Sequence, residues 1–182
     1  MTSGLHSAFF DRDTRVVAQE LLGCALVRDG VSVRIVETEA YIPGDSANHS
    51  YRGRTARNAP MWGPPGHLYV YLCYGIHHLL NLVTEADGRP AAVLIRGCTV
   101  VSGHETVRER RGGRLDLMGP GKVAQALGTD TSWSGRALGD GLHVVHGPPP
   151  EAVQAVPRVG IDFAEPVHRD ALWRYIARDD DR

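Results

Sequence analysis

Hydrophobic and polar positions along the chain predict three helices. Asp13 is followed by apolar side chains at helical spacing, which predicts an early helix that ends at a glycine. A capping-box pattern at 102–105 predicts a short helix that reaches Arg110. A proline in the first turn and Gly128 as C-terminal cap predict a third helix at 120–127.

Short β-branched or aromatic runs, each bounded by turn residues, predict six strands. These strands are 24–28, 31–39, 67–74, 79–84, 91–97 and 141–146. Because strands outnumber helices without alternating regularly with them, we expect an α+β fold with a largely antiparallel sheet. The length of 182 residues suits a single domain over 1–182, and we expect an ordered core at about 8–177 and an acidic C-terminal tail at 178–182.

The apolar runs and the cysteine spacing argue against several classes of protein. No stretch approaches the roughly 18 apolar residues of a membrane span and the first residues lack a signal-peptide pattern, so we expect a cytoplasmic protein with no membrane partner. The three cysteines are far apart, which argues against a disulfide framework or a paired-cysteine metal site. No heptad or long apolar stripe is evident, which favours a monomer.

Positive charge is concentrated in the middle of the chain, although the net charge is −1. Residues 49–123 carry ten basic and five acidic side chains, whereas both flanking segments are acidic. Lys122 is the only lysine among the twenty basic residues. The central segment is therefore a candidate phosphate-facing surface, and ordinary charge fluctuation along a chain is the alternative.

Two glutamates in the long second strand are candidate catalytic groups. If this strand is regular, Ile35, Glu37, Glu39 and Tyr41 share one face because successive side chains alternate. The carboxylates then lie about 7 Å apart, which would permit a glycosidase-like acid and base pair. We interpret Glu37 as a surface or ion-paired residue and Glu39 as the functional one, because Tyr41, His49 and the next predicted strand can close around it.

Tyrosines crowd the run at 68–75. Tyr69 and Tyr71 are expected on one face, and Tyr74 precedes Gly75 near a turn, where its ring could project. Tyrosines in strands more often pack than bind ligands. A carboxylate beside flat aromatic rings is nevertheless what a protein needs to hold a planar base and direct a water at it.

Several separated motifs resemble, in order, those of the 3-methyladenine DNA glycosylases of the alkyladenine type. They are Val-Glu-Thr-Glu-Ala-Tyr at 36–41, His49-Ser50, Arg57-Asn58, Leu-Tyr-Val-Tyr-Leu-Cys-Tyr-Gly at 68–75 with Asn81, Val-Leu-Ile-Arg at 93–96, Gly-Pro-Gly-Lys at 119–122 and Arg-Val-Gly-Ile at 158–161. The resemblance extends from about residue 13 to 176, and motifs in a fixed order are far more specific than one short pattern.

The resemblance implies a base-excision repair enzyme that works without a cofactor on double-stranded DNA. It implies a curved sheet with flanking helices and a protruding hairpin that enters the minor groove. Such an enzyme flips alkylated or deaminated purines, of the 3-methyladenine, 7-methylguanine and hypoxanthine class, out of the duplex. It then hydrolyses the N-glycosidic bond and leaves an abasic site. A cytoplasmic enzyme of this kind would be associated with the nucleoid when bound to DNA.

The resemblance also implies a role for each matched position. It implies that Glu39 is the general base and that Arg96 and the Val159 carbonyl help to hold the attacking water. Tyr74 matches the wedge that fills the gap left by the flipped nucleotide. Four further positions match the base pocket, three as walls and the last as the residue that crowds the 2-amino group of guanine. They are Tyr41, His49, Tyr71 and Asn81.

Basic residues of the central segment are candidate phosphate contacts. We expect such contacts from Arg54, Arg57 and Lys122, although the arginines could equally only solvate a loop. A glycosylase that also cuts the backbone needs an amine to form a Schiff base, and the chain offers only Lys122 and its N-terminus. At a predicted helix start this lysine is better placed to neutralise a phosphate, so we predict a monofunctional enzyme.

Some positions depart from the family pattern. The loop after His49 is one residue shorter than in the mammalian members, His77 and His78 replace aromatic or apolar residues, and Gly121 stands where some members have serine. These departures affect particular phosphate contacts rather than the pocket. Adjacent histidines in a strand face opposite sides, so we expect no metal site.

Two other functions remain open at this stage. A protein that senses alkylated DNA without catalysis would bind tightly but release no base. A carbohydrate glycosidase would depend equally on Glu37 and Glu39 and would not need Tyr74.

Overall fold

A curled antiparallel sheet with short helices packed on it forms the protein in a computed structural model, which describes residues 4–179. Within that range the strands are β1 (Ala25–Arg28), β2 (Val31–Tyr41), β3 (Leu68–Cys73), β4 (His77–Val83), β5 (Ala92–Ser102), β6 (Leu117–Met118), β7 (His143–Val145), β8 (Ala152–Val156) and β9 (Arg174–Arg178). The helices are α1 (Ser7–Phe10), α2 (Thr14–Glu20), α3 (His104–Arg110), α4 (Pro120–Leu127) and α5 (Pro166–Arg169), with 3-10 turns at Ala59–Trp62 and Thr131–Trp133. The predicted α+β class is confirmed.

The two longest strands, β2 and β5, pair at the centre of the sheet. The strand order is β3-β4-β5-β2-β1-β7, β6 adds to β5, and β9 pairs with both β2 and β8. Helix α2 packs on β2, and α4 packs on β4 and β5. Successive side chains of a strand point to opposite faces of the sheet. The apolar side chains on the inward faces of the strands pack against the helices and form the core. Its fully buried side chains include Phe10, Leu21, Leu26, Ile35, Leu80, Leu82, Ile95, Leu117 and Leu127.

The pairing of β2 with β5 contains two opposed bulges at its centre, in addition to a register shift between Ser32 and Val33. The register slips by one residue on each strand, so that Val36 in β2 and Arg96 in β5 are extra residues. Between them lies Gly97, where a Cβ atom would approach Met118 Cε to 3.0 Å and Glu37 Cβ to 3.2 Å. A side chain at this position would therefore push the strands apart. Since each extra residue reverses which side chains face the core, the bulges direct Arg96 outward.

The bulge in β2 corrects the expectation that Ile35 shares a face with the two glutamates. Ile35 is fully buried in the main core, and beyond the bulge the core side of the strand is taken by Thr38, whose hydroxyl donates to the Ala18 carbonyl at 2.8 Å. The opposite face carries Glu37, Glu39 and Tyr41. The assumption of a regular strand was wrong because one added residue flips every following side chain.

The helix predictions are confirmed in their position, but α2 ends at Glu20 rather than at the expected Gly23, and one predicted N-terminal cap is wrong. Asp13 caps α2 by accepting from the Arg15 amide at 2.9 Å, and Gly128 ends α4 with a φ of 63°. Helix α3 begins after Gly103 without a side-chain cap. Ser102 is the last residue of β5 and cannot act as the cap of a capping box.

The six predicted strands are present, and three others were missed. Strands β2 and β5 continue to Tyr41 and Ser102, beyond the predicted ends at 39 and 97. Strands β6, β8 and β9 are short, and β8 is almost entirely exposed, so they lack the alternation that marks a strand in a sequence.

The sheet includes one residue beyond 177, where the ordered core was expected to end. Arg178 is the last residue of β9, and Asp179 accepts from Arg34 at 2.9 Å. The rest of the expected tail, 180–182, lies outside the described residues. In the part of the chain that the structure describes, no helix is both long and apolar enough to cross a membrane.

Candidate active site

A cavity of about 560 Å³ lies on the outward face of β2 and β5. The β3–β4 hairpin, the start of α4 and the segment at 159–163 form its other walls. Nine of the eleven residues expected at the site line it: Glu39, Tyr41, His49, Tyr71, Tyr74, Asn81, Arg96, Lys122 and Val159. Arg54 and Arg57 lie outside this lining. The cavity has the size and aromatic walls suited to a planar organic group.

Glu39 is a completely buried carboxylate in the wall of this cavity. Its Oε2 accepts from the Tyr41 hydroxyl at 2.8 Å, and its Oε1 accepts from the Val159 amide at 2.9 Å. Arg96 Nη1 lies 3.5 Å from Oε1. Burial raises the pKa of Glu39, and the Arg96 charge with the two hydrogen bonds acts against that rise. The carboxylate is thus held in one orientation while it remains a stronger base than an exposed glutamate.

The neighbouring Glu37 holds two arginines in place. Its Oε1 accepts from Arg96 Nε at 3.2 Å and from Arg174 Nη1 at 2.9 Å. Arg96 therefore lies between the two carboxylates, with one edge toward each. The expected interpretation of Glu37 as an ion-paired residue agrees with these contacts.

An ion pair that was not recognised in the sequence supports the cavity from behind. Arg158 and Asp45 are both fully buried, and Arg158 Nη2 donates to Asp45 Oδ1 at 3.0 Å. The same guanidinium donates to the carbonyl of Ala40 at 3.0 Å and lies 4.6 Å from the centre of the Tyr41 ring. The sequence offered one possible signal for this ion pair, because Arg158 belongs to the recognised motif at 158–161. Nothing in the sequence marked Asp45 as its partner.

Three aromatic rings form one side wall. His49 Nδ1 and the Tyr69 hydroxyl are 2.9 Å apart, and the His49 and Tyr71 ring centres are 4.4 Å apart. Desolvation by the surrounding protein lowers the pKa of His49, and the positive charge of Arg57 lowers it further. His49 is consequently neutral near pH 7. Burial raises the pKa of Tyr69 to about 12, so its hydroxyl stays protonated.

Asn81 is fixed in β4 between two neighbouring strands. It pairs with Tyr69 on one side and Leu94 on the other. Its amide nitrogen donates to the carbonyl of Tyr69 at 3.1 Å and to that of Leu79 at 3.3 Å. The side chain therefore has little freedom to move away from a group in the cavity.

The tip of the β3–β4 hairpin presents an aromatic ring to solvent. Tyr74 is 90% exposed and has a φ of +49°, and Gly75 follows with a φ of +71°. The Ile76 amide donates to the Cys73 carbonyl at 3.1 Å, which closes the turn. Positive φ values at both central residues are the mark of a type I′ hairpin turn, which favours Asn and Gly and disfavours a bulky aromatic residue.

The basic residues occupy different places around the cavity. Lys122 lies at its rim in the first turn of α4 and forms an ion pair with Asp116. Arg57 Nη2 donates to the Leu72 carbonyl at 2.6 Å, and its guanidinium lies 5.7 Å from the centre of the Tyr71 ring. Arg54 lies 6.0 Å from the Trp62 ring. Phosphate contact by these residues stays a prediction.

Two departures from the family pattern meet at the cavity rim. A Cβ atom at Gly121 would come within 3.0 Å of the His77 ring. The absence of a side chain at Gly121 therefore makes room for the histidine, and the two positions fit one another. Among residues 4–179 no group of three or more His, Cys, Asp or Glu side chains is arranged to hold a metal ion.

Comparison with known proteins gives consistent matches over nearly the whole chain. The family model described as methylpurine-DNA glycosylase matches residues 8–181. A protein of Nitrosococcus oceani named "Putative 3-methyladenine DNA glycosylase" is 53% identical over 180 residues, which cover 96% of this chain and 90% of the relative. The Arabidopsis thaliana protein named DNA-3-methyladenine glycosylase is 52% identical over 178 residues, covering 94% of this chain and 70% of the relative.

Proposed function

The chain belongs to the methylpurine-DNA glycosylase family, and from this membership we propose that it removes alkylated and deaminated purines from duplex DNA with Glu39 as general base. It is a DNA glycosylase of base excision repair and hydrolyses the N-glycosidic bond. We propose that its substrates are of the 3-methyladenine, 7-methylguanine and hypoxanthine class. The observation that carries the mechanism is a buried carboxylate in an aromatic cavity beside an exposed, strained tyrosine.

The flipped base enters the cavity and stacks between its rings. Tyr41 stands on one side, and His49 with Tyr71 stands on another, which suits a planar purine. A purine alkylated at a ring nitrogen is cationic and electron-poor, and such a base is also a good leaving group. Asn81, fixed by two carbonyls, crowds the exocyclic 2-amino group of an undamaged guanine.

Glu39 activates the water that attacks the sugar. Each carboxylate oxygen accepts one hydrogen bond from the protein and retains a second lone pair for water. A proton of the water passes to Glu39 as its oxygen bonds to C1′, and the electrons of the broken bond leave with the base. The carboxylate also stabilises the positive charge that develops on the sugar. Arg96 holds Glu39 in place, and the Val159 carbonyl helps to position the water.

Tyr74 fills the gap that the flipped nucleotide leaves in the stack. The ring is free to enter DNA because it is 90% exposed at the hairpin tip. Strained backbone conformations that persist at an exposed tip commonly have a function. The hairpin enters the minor groove, and Lys122 at the cavity rim lies near the phosphates.

The enzyme is monofunctional. Lys122 is the only lysine in the chain, and in the structure it forms an ion pair with Asp116 at the cavity rim. A charged, paired ammonium is a poor nucleophile for Schiff-base formation. The product is therefore an intact strand that carries an abasic site.

The test is base release from duplexes that contain 7-methylguanine or hypoxanthine, measured in single turnover. Glu39→Gln should lower the rate about 10²- to 10⁴-fold while DNA affinity is retained, because a general base contributes about that factor. The matched control is Glu105→Gln, which alters an exposed carboxylate on α3 and should act like the wild type. Borohydride added to the wild-type reaction should trap no covalent adduct.

Each contrary outcome identifies a different alternative. Full activity of Glu39→Gln would refute the role of this carboxylate, and a trapped adduct would refute the monofunctional mechanism. Tight binding without base release by the wild type would indicate a damage sensor. The carbohydrate glycosidase is disfavoured because Glu37 accepts from two arginines and does not line the cavity.

A further inference from the structure

Each of the two aromatic walls of the cavity has a guanidinium against its ring. Arg158 lies 4.6 Å from the centre of the Tyr41 ring, and Arg57 lies 5.7 Å from the centre of the Tyr71 ring. Both tyrosines line the cavity, and neither arginine does. The cations therefore approach the rings from outside the space that a base would occupy.

The charges of these two arginines differ in how far they are compensated. Arg158 is fully buried and forms a two-point ion pair with Asp45, so its charge is largely offset. Arg57 is exposed, and among residues 4–179 no carboxylate lies within ion-pair distance of it. Its one hydrogen bond in the described structure is to the Leu72 carbonyl. Arg57 thus supplies an uncompensated positive charge at the wall.

A cation at one face of an aromatic ring weakens the attraction of the ring for a second cation. The ring attracts cations through the negative charge above its faces, and a guanidinium draws on that charge. The two cations also repel each other directly. A methylated purine such as 7-methylguanine is cationic, whereas hypoxanthine is neutral, so the charge of Arg57 acts selectively against the first.

We propose that Arg57 determines substrate specificity by reducing the preference of the pocket for cationic over neutral lesions. This inference rests on the proposed function, since it assumes that the base stacks on Tyr71. With the guanidinium 5.7 Å from the ring centre and the base about 3.5 Å beyond the ring, the charges are separated by about 9 Å. At that distance, and for an exposed charge, removal of Arg57 should favour the cationic lesion about two- to fivefold.

The chain offers a matched control for this effect. Arg54 is an exposed arginine of the same loop and lies over Trp62, which does not line the cavity. Arg54→Gln and Arg57→Gln remove the same charge from the same part of the surface. Loss of a phosphate contact would slow both lesions alike, so the ratio of the two rates separates base discrimination from DNA affinity.

The experiment measures single-turnover release of 7-methylguanine and hypoxanthine from the same position of one duplex. In Arg57→Gln the ratio of the 7-methylguanine rate to the hypoxanthine rate should rise about two- to fivefold, and in Arg54→Gln it should stay at the wild-type value. Arg57→Lys keeps the positive charge, so its ratio should lie close to the wild-type value. An unchanged or lower ratio in Arg57→Gln would overturn the proposal.

A binding measurement gives the proposal a readout that does not depend on catalysis. In a Glu39→Gln background excision is slow enough for binding to be measured, and adding Arg57→Gln should lower the dissociation constant for the 7-methylguanine duplex relative to that for the hypoxanthine duplex. If the wild type releases neither base, the proposed function fails, whereas the binding ratio still tests Arg57. If release occurs with equal ratios in all variants, only the assignment of Arg57 fails.

Discussion

Replacement of Tyr74 by asparagine should stabilise the protein and impair its activity at the same time. Tyr74 and Gly75 form the centre of a hairpin turn in which both residues have positive φ. Asparagine adopts this conformation far more readily than tyrosine, and Asn-Gly is the most favoured pair for a type I′ turn. The local backbone conformation therefore disfavours tyrosine at position 74. Its presence there indicates that the ring has a function.

The size of the stabilisation follows from exposure and backbone strain. A left-handed conformation costs a typical side chain about 1–2 kcal/mol, and asparagine avoids much of this. Tyr74 is 90% exposed, so the substitution sacrifices only the burial of a tenth of the ring. That loss is about 0.5 kcal/mol at ~25 cal/mol per Å². The net gain in the free energy of unfolding is about 1 kcal/mol, or a rise in Tm of about 2–4 °C for a domain of this size.

The loss of activity should be larger than this gain in stability. Stacking of a base on an aromatic side chain contributes about 1–3 kcal/mol, so excision from duplex DNA should slow about 5- to 150-fold. Denaturant unfolding and single-turnover excision would be measured on the same preparation, with Tyr74→Phe as the control that retains the ring. A destabilised Tyr74→Asn would mean that the ring packs on the protein, and undiminished excision would mean that it does not enter DNA.

Two further predictions concern the buried charges. Burial raises the pKa of Glu39, and the proposed general base must be ionised to act. The single-turnover rate should therefore fall as pH decreases through a value above the ordinary glutamate pKa of about 4.3. A pH–rate profile that stays flat down to that pKa would contradict this. Asp45→Asn leaves the fully buried Arg158 without its counterion and should lower the free energy of unfolding by about 3–5 kcal/mol, and a thermal unfolding midpoint near that of the wild type would refute it.

The sequence predicted the central elements of the fold, but it could not predict the bulges. The alternation in β2 is typical of a regular strand, and nothing in its composition marks Val36 as an added residue. The bulge exists because β5 carries a matching one at Arg96, with Gly97 between them. Such pairing joins residues about sixty positions apart, so only the folded strands reveal it. Strand β9 escaped prediction for a related reason, since its place is set by pairing with Glu37 and its neighbours.

The residues around Glu39 were predictable to the extent that they belong to recognised motifs. Tyr41, Arg96 and Val159 are in such motifs, and all three contact the carboxylate. Asp45 is in none of them, and its contact with Arg158 spans more than a hundred residues of chain. Support of a site by buried ion pairs is therefore the part that sequence reasoning misses, because it depends on tertiary packing.

The segment at 157–159 is held at two points just before the Val159 amide that donates to Glu39, and this accounts for the orientation of the carboxylate. Arg174 Nε donates to the Pro157 carbonyl at 2.9 Å, and the same guanidinium binds Glu37. Arg158 is anchored by Asp45 and by two backbone carbonyls, so the next amide, that of Val159, has a fixed direction.

A donor held in this way needs no reorganisation when negative charge is required at Glu39. A buried glutamate would otherwise be protonated at neutral pH, since desolvation favours the neutral acid. The fixed donors and Arg96 limit that tendency, while burial keeps the carboxylate more basic than an exposed one. The proposed role of Glu39 as general base calls for both effects, and the bulge at Arg96 places the guanidinium Nη1 3.5 Å from the carboxylate.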